Sequence, residues 1–275
     1  MALHKNIGFA FPVFLRLARL MVLGSLLLAA CSAPQKLDRT GAETKKPTLA
    51  ITVRLGSIDL FNVARRIEKK DIERFAAVLK REQIEILSVQ GISRYPNVKT
   101  RVDFVTELAA QMDMRQAYGE SIDLAGRQRV NAVLSTYPIR SNQKSDFDVP
   151  SAFSESAVRV AVDVGVRDVV VVSTRLPERS TAQDLAKCME TIAGLQSGPH
   201  GSFIVTGNLP VSKKIRNADV FADLQTSLPE ATAPAISSRL WYAQGELFKL
   251  LNARTVKTEL GTLTVGEFGL YTLPR

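Results

Sequence analysis

Histidine and cysteine are scarce: the 275 residues hold two of each, and His4 and Cys31 fall within the first 31. The remainder has one histidine, His200, and one cysteine, Cys188, which excludes a disulfide scaffold and any mechanism that needs two histidines. Acidic residues are missing from the first thirty positions, which carry Lys5, Arg16 and Arg19. No self-similarity at a period of 20 to 50 residues appears, which excludes solenoids and propellers. What is present is the composition of a globular protein: 45% apolar and 23% charged residues, in a length that suits one large domain or two small ones. Disorder throughout and collagen are excluded. The formal charge is +9, of which +6 belongs to the chain from Cys31 onward. That charge is too diffuse to imply nucleic acid.

The first thirty residues read as an export address. Cationic residues precede an uninterrupted run of apolar and small residues, Leu20 to Ala30, too short to cross a bilayer core of about 30 Å as a helix. The run ends in Leu28-Ala29-Ala30-Cys31-Ser32, which resembles the lipobox of bacterial lipoproteins. Small residues before the cut let a peptidase approach the backbone, and thioether formation requires the thiol. The resemblance implies a mature chain that begins at Cys31, with diacylglycerol on its sulfur and an acyl chain on its amine, enough for stable anchoring. Ser32, where an aspartate is absent, implies the outer membrane, with the body facing the periplasm. Residues 31–47 then have almost no large apolar side chain and read as a tether. As a flexible coil, such a segment reaches roughly 22 Å r.m.s..

From Leu49 the apolar pattern switches repeatedly between periods of two and 3.6, so residues 48–275 are expected to form one layered body of helices and sheets. The alternation Leu49 to Leu55 predicts a strand. Ile72, Phe75, Ala76 and Leu79 predict a helix over Lys69 to Gln83, and a strand over Ile84 to Gln90 follows. Val105, Leu108, Ala109 and Met112 mark a second helix, Arg101 to Met112. Strands are expected at Met114 to Tyr118 and Arg129 to Thr136. The β-branched runs Ala157 to Val164 and Asp168 to Thr174 predict a hairpin. Ser180, with Gln183 three residues on, predicts the start of a third helix with Leu185, Cys188, Met189 and Ile192 on its buried stripe. Cys188 therefore reads as a small core residue. Strands Gly201 to Thr206, Ser238 to Ala243, Lys249 to Val256 and Thr262 to Tyr271 complete the chain.

Five stretches in order resemble the endonuclease/exonuclease/phosphatase superfamily, which has the deoxyribonuclease I-like fold. Ile86-Leu87-Ser88-Val89-Gln90 is similar to the family's "DVIGLQE" strand without its Glu, and Asn131-Ala132-Val133-Leu134-Ser135-Thr136-Tyr137-Pro138-Ile139 to "NAILSRYPI". Ser173-Thr174-Arg175-Leu176 resembles "NTHL", Val205-Thr206-Gly207-Asn208-Leu209-Pro210 resembles "AGDFN", and Ser238-Arg239-Leu240-Trp241-Tyr242 resembles "RIDY". The resemblance implies an α+β fold, two packed mixed or antiparallel sheets flanked by helices in four layers. It also implies a site on the rim where strand ends converge. There a carboxylate-bound Mg²⁺ would polarise a phosphoester for attack by water, helped by histidine.

Residue by residue, that machinery is missing. Ser57 stands near the family's first Asn, Gly91 at the metal-binding Glu, and Arg175 at the His. Asn208 and Pro210 replace the Asp and Asn of "GDFN", Trp241 the Asp of "RIDY", and Glu267-Phe268 the terminal Asp-His. Mg²⁺ usually needs one or two anionic oxygens, and Glu267 is the single carboxylate in this set. His200 reads as a turn residue. The leading expectation is a degenerate, lipid-anchored binding or scaffold module without metal or other cofactor, whose partner is an envelope protein or an anionic ligand. Two alternatives stay open. One is a Mg²⁺-dependent hydrolase with a site rebuilt from Asp59, Glu178 and Glu267. The other is an anion-binding module that uses the forked donors of Arg175 in place of the metal. The basic pairs Arg65-Arg66, Lys69-Lys70, Lys80-Arg81 and Lys213-Lys214 read as solvated faces, since no aromatic residues interleave with them. A weak attraction to anionic lipid is the most they imply.

Overall fold

Alternating apolar residues build β1 (Thr48–Asp59), and helix α1 (Lys69–Arg81) carries the chain across to β2 (Ile86–Arg94), which pairs with β1 in parallel. In the computed structural model, residues 46–63, 67–94, 102–124, 127–149, 156–176, 181–196, 202–208, 222–223, 238–243 and 245–274 are described. Cys31, the export segment and nearly all of the tether lie outside them, as do Arg65, Arg66, Glu178, Ser180, His200, Pro210, Lys213 and Lys214.

After α2 (Phe104–Met112) come β3 (Arg115–Leu124), β4 (Arg127–Ser135), β5 (Ile139–Asp146), β6 (Ser156–Asp163) and β7 (Asp168–Thr174). Helix α3 (Ala182–Gly194) then crosses to β8 (Ser202–Gly207), parallel to β7, before β9 (Ala222–Asp223), β10 (Arg239–Tyr242), β11 (Phe248–Thr258) and β12 (Gly261–Thr272). Two six-stranded mixed sheets result, ordered β11-β12-β1-β2-β4-β3 and β5-β6-β7-β8-β10-β9. This is the two-sheet α+β sandwich that the resemblance implies.

Three apolar layers hold the sandwich together. Ile72, Phe75, Ala76 and Leu79 of α1 and Phe104, Val105, Leu108 and Ala109 of α2 pack on the outer face of the first sheet against Ile58, Leu87, Val89 and Leu134. Between the sheets lie Val53, Leu55, Ile86 and Val133 of the first and Val158, Val160, Val171, Ile204 and Leu240 of the second. Cys188, Met189 and Ile192 of α3 cover Val172, Phe203, Val205 and Trp241 on the outer face of the second sheet. Successive side chains along a strand serve opposite layers, so a one-residue slip would exchange inner for outer core.

Boundaries differ from expectation for local reasons. Helix α1 stops at Arg81, since Gln83 adopts a positive φ of 55°. Helix α2 starts at Phe104, where the Asp103 carboxylate accepts from the Thr106 N–H at 3.1 Å. The box that opens α3 uses Thr181 and Asp184 instead of Ser180 and Gln183. Strand β5 was not expected: its run Ser141 to Lys144 is polar and exposed, as suits an edge strand.

The turn Tyr137-Pro138 ties the two sheets' connecting segment to the start of β2. The Tyr137 hydroxyl donates to Glu85 Oε1 at 2.6 Å, and the other Glu85 oxygen accepts from the Arg54 N–H at 2.9 Å. Burial, reinforced by the Glu85 carboxylate, pushes the Tyr137 phenol well above the ordinary tyrosine range, and burial raises that of Tyr242 too. Folding thus favours the protonated phenols. Their contribution is fully present below the unfolded value of about 10 and is lost as pH rises toward the folded values. Denaturation midpoints are therefore expected to fall above about pH 10, with a shallower fall in Tyr137→Phe. An equal fall in the variant would show that Tyr137 does not cause it.

Candidate functional site

Four strands carry polar residues two apart where they meet at one rim: Ser57 and Asp59 on β1, Ser88 and Gln90 before the bulge of β2, and Ser173 with Arg175 and Thr206 with Asn208 at the ends of β7 and β8. Because β1 with β2 and β7 with β8 are parallel pairs, these ends lie at the same rim, and their alternation turns Ser57, Ser88, Gln90, Ser173 and Thr206 toward the space between the sheets. Gln90 is the hub. Its Nε2 donates to Ser88 Oγ at 2.8 Å and lies 3.3–3.4 Å from the hydroxyls of Ser57, Thr206 and Ser173. Its Oε1 accepts from Ser238 Oγ at 2.9 Å. The hydroxyls of Ser57 and Ser238 are 2.6 Å apart, as are those of Ser88 and Thr206. Thr264 Oγ1 donates to the Ser238 carbonyl at 3.0 Å. All seven side chains are fully buried, and none carries charge. Such a satisfied neutral network joins the sheets without the desolvation cost of buried ions.

The rim above it is closed by Gly91, Phe61, Arg175 and Asp59. Gly91 sits at the bulge of β2 with φ +67°, and its N–H donates to Asn131 Oδ1 at 3.1 Å. Asn131 Nδ2 donates in turn to the Ser156 carbonyl of the other sheet at 2.9 Å. A Cβ at Gly91 would lie 2.7 Å from Phe61 Cβ and 3.1 Å from Arg175 Cδ. The Arg175 guanidinium covers the Phe61 ring at 3.2 Å from its centroid, and Arg129 lies 3.8 Å from the same ring. Arg175 Nε stands 3.8 Å from Asp59 Oδ1, and both side chains are only 5% exposed. Asp59 Oδ1 also accepts from the Phe61 N–H at 2.9 Å.

The other expected positions divide between this rim and elsewhere. Asn208 is at the rim, and its carboxamide closes a ring on one backbone unit: Oδ1 accepts from the Leu176 N–H at 2.6 Å and Nδ2 donates to the Leu176 carbonyl at 2.9 Å. An ionised aspartate can only accept and could not close that ring. Gly207 allows the approach, since a Cβ there would meet the Thr174 carbonyl oxygen at 1.9 Å. Trp241 does not reach the rim; it is buried under α3, and its neighbours Leu240 and Tyr242 face inward in its place. Glu267 and Phe268 are also displaced. Thr264, three residues earlier on β12, pairs with Ser57, whereas Glu267 pairs with Arg54 and meets its guanidinium at 3.5 Å. Phe268 stacks on Phe248 in the inter-sheet core, 5.1 Å between centroids. Pro210 and Glu178 lie outside the described residues.

A Mg²⁺ ion does not fit this donor set. Gly91 offers no side-chain oxygen, the Asn208 carboxamide is engaged with Leu176, and Asp59 faces the guanidinium of Arg175. Among the described residues no three His, Cys, Asp or Glu side chains gather closely enough to hold an ion. Gln90, Asn131, Phe61 and Ser238 were not expected at the rim. The polar pair Ser88 and Gln90 in an otherwise apolar strand is the signal in the sequence that points to Gln90; no local pattern announces the other three.

No protein-family model matches the chain, and no curated protein is significantly similar to it. Solved structures do match. An endonuclease/exonuclease/phosphatase from Beutenbergia cavernae is 17% identical, with 81% of this chain and 72% of that one covered at a TM-score of 0.62. A protein described by the same family name, from Leptotrichia buccalis, is 13% identical over 80% of this chain and 99% of its own, with a TM-score of 0.61. The human Nocturnin catalytic domain, determined with bound sulfate, is 10% identical over 82% and 97%, with a TM-score of 0.59. The two six-stranded sheets, their helical covers and these likenesses together give this chain the endonuclease/exonuclease/phosphatase fold.

Proposed function

We propose that this protein is a lipid-anchored envelope protein whose phosphoesterase-like body binds or scaffolds and does not carry out metal-dependent hydrolysis. One observation carries the reading. Where this fold places its carboxylates, the rim holds a glycine packed on Phe61, a carboxamide that grips Leu176 and an Asp59–Arg175 ion pair, above a network of neutral hydroxyls. Each of these groups is engaged inside the protein, so little is left at the rim to polarise a phosphoester. Burial of Arg175 against Phe61 and Asp59 also argues against the use of its guanidinium as an exposed anion clamp. The lipobox-like Leu28-Ala29-Ala30-Cys31 supports attachment of the body to the outer membrane through Cys31. The partner is then an envelope protein or an anionic ligand recognised elsewhere on the surface.

Two measurements test this. With millimolar Mg²⁺ or Mn²⁺ the melting temperature is expected to stay unchanged, since an ion held at a Kd a hundredfold below its concentration would add about 2.7 kcal/mol. Phosphodiester and phosphomonoester substrates are expected to turn over no faster than in buffer. Metal-dependent turnover that Asp59→Asn abolishes would establish the rebuilt-hydrolase reading instead. Cys31→Ala is expected to move the protein from the membrane fraction to the soluble one, and retention in the membrane fraction would refute the anchor.

A further inference from the structure

Among the described residues five large apolar side chains are exposed, and four of them, Leu49, Val166, Leu251 and Leu273, cluster at one end of the sandwich. Leu49 and Leu251 close over Gly269 together with Tyr271: a Cβ there would lie 3.0 Å from Leu49 Cδ1, 3.0 Å from Tyr271 Cε2 and 3.2 Å from Leu251 Cδ1. Leu273 follows two residues after Tyr271, and Val166 is in the β6–β7 turn, whose Arg167 guanidinium donates to the Tyr271 carbonyl. Tyr271 also carries Lys249, whose Nζ is 5.1 Å from its ring centroid. Neither α1 nor α2 covers this end; their partners lie on β1, β2, β4 and, at Leu263 and Val265, the first half of β12, nearer the opposite rim.

The chain enters the fold here. Thr48 pairs with Thr272, and Lys46, just before it, is exposed. The 16 residues from Ser32 to Pro47 span at most about 55 Å even when fully extended, so an acylated Cys31 keeps this end within that distance of the bilayer. Confinement of that kind corresponds to millimolar effective concentration, so even a weak apolar contact is populated. Isolated exposed leucines are ordinary, but Leu49 and Leu251 beside Tyr271, with Leu273 two residues on and Val166 next to the Arg167 that holds the Tyr271 carbonyl, are not scattered. Leucine and tyrosine side chains enter the headgroup boundary, and lysines on their margin reach lipid phosphates. Acids are present at this end too: Asp163 is paired with Arg140, and Glu246 is exposed in the turn before β11. The apolar side chains therefore supply the contact, and Lys46 and Lys249 orient it.

We infer that the end of the sandwich formed by Leu49, Val166, Leu251, Tyr271 and Leu273 docks on the phospholipid surface and holds the Gln90 rim, at the other end of the same strands, away from the membrane. This rests on the anchor proposed above.

The test uses the full chain, processed and lipidated in a bacterial host and reconstituted into vesicles of phosphatidylethanolamine and phosphatidylglycerol. Hydrogen exchange is followed by mass spectrometry in the parent, in Leu251→Glu/Leu273→Glu, and in Leu273→Glu alone, which alters only a terminal exposed side chain. Peptides covering residues 48–53 and 247–253 are expected to exchange roughly tenfold more slowly in the vesicle-bound parent than in the vesicle-bound double variant. Residues 84–90, at the other end, should exchange equally in both, and Leu273→Glu should fall between the two at residues 48–53. Equal exchange at both ends, with every protein floating with the vesicles, overturns docking while the anchor stands. Failure of the parent to float overturns the anchor and this inference with it. Protection that rises with protein concentration and needs no vesicle assigns the surface to a second copy of the chain and overturns the lipid assignment.

Discussion

Gly91→Glu is expected to destabilise the fold by about 3 kcal/mol, on the order of 10 °C in melting temperature, and to confer no Mg²⁺ dependence. Two effects add. The backbone at Gly91 has φ +67°, which costs a residue with a Cβ about 1 kcal/mol or more. That Cβ would also stand 2.7 Å from Phe61 Cβ and 3.1 Å from its Cα, so the loop that carries Phe61 would have to move. Overpacking of this kind typically costs 1–3 kcal/mol. Attraction between the new carboxylate and Arg175 works the other way, but Asp59 already faces that guanidinium, and a second carboxylate beside the first is repelled. Gly91→Ala separates the contributions: denaturant titration should show most of the loss in alanine as well. A neutral alanine variant would mean that Phe61 does not pack on Gly91. A glutamate variant that gains stability with Mg²⁺ would mean that the metal site is one substitution away.

The layers were legible in the sequence and the rim only in part, for different physical reasons. Stripes such as Ile72, Phe75, Ala76 and Leu79 are set by burial, which reads directly as periodicity, and the structure buries all four. Strand β5 was missed since an exposed edge with Ser141, Asn142, Gln143 and Lys144 has no apolar face to set a period. At the rim, Ser57, Gly91, Arg175 and Asn208 come together because each lies on or directly after a strand of the two parallel pairs. Trp241 and Glu267 do not join them, because the faces of β10 and β12 are set by register with the neighbouring strands. On β12 the residue facing the network is Thr264, and Glu267, three positions on, falls on the opposite face of the sheet beside Arg54. On β10 the inward positions are Ser238, Leu240 and Tyr242, which leaves Trp241 to α3. The Asp59–Arg175 pair joins residues 116 positions apart in sequence, and nothing local announces such a contact.

Arg175→Ala is expected to cost about 3–5 kcal/mol at neutral pH, the range for removal of one partner from a buried ion pair. Asp59 would keep the Phe61 N–H as a donor but lose this guanidinium, and Phe61 would lose one of the two cations packed on its ring. A buried carboxylate that loses a neighbouring cation is shifted toward its protonated form, so the folded pKa of Asp59 should be higher in the variant than in the parent. The sign then fixes a pH signature. Protonation relieves the penalty, so the gap in unfolding free energy between parent and variant should narrow as pH falls through the raised value and widen toward pH 7. Asp59→Asn in the same background should recover part of the loss at pH 7 and remove the pH dependence of the gap. If Arg175 serves as an exposed anion clamp instead, Arg175→Ala should change stability by less than about 0.5 kcal/mol, with no pH signature. A gap that is large but flat between pH 4 and pH 7 would point to lost packing on Phe61 alone, and Asp59 would then contribute nothing through its charge.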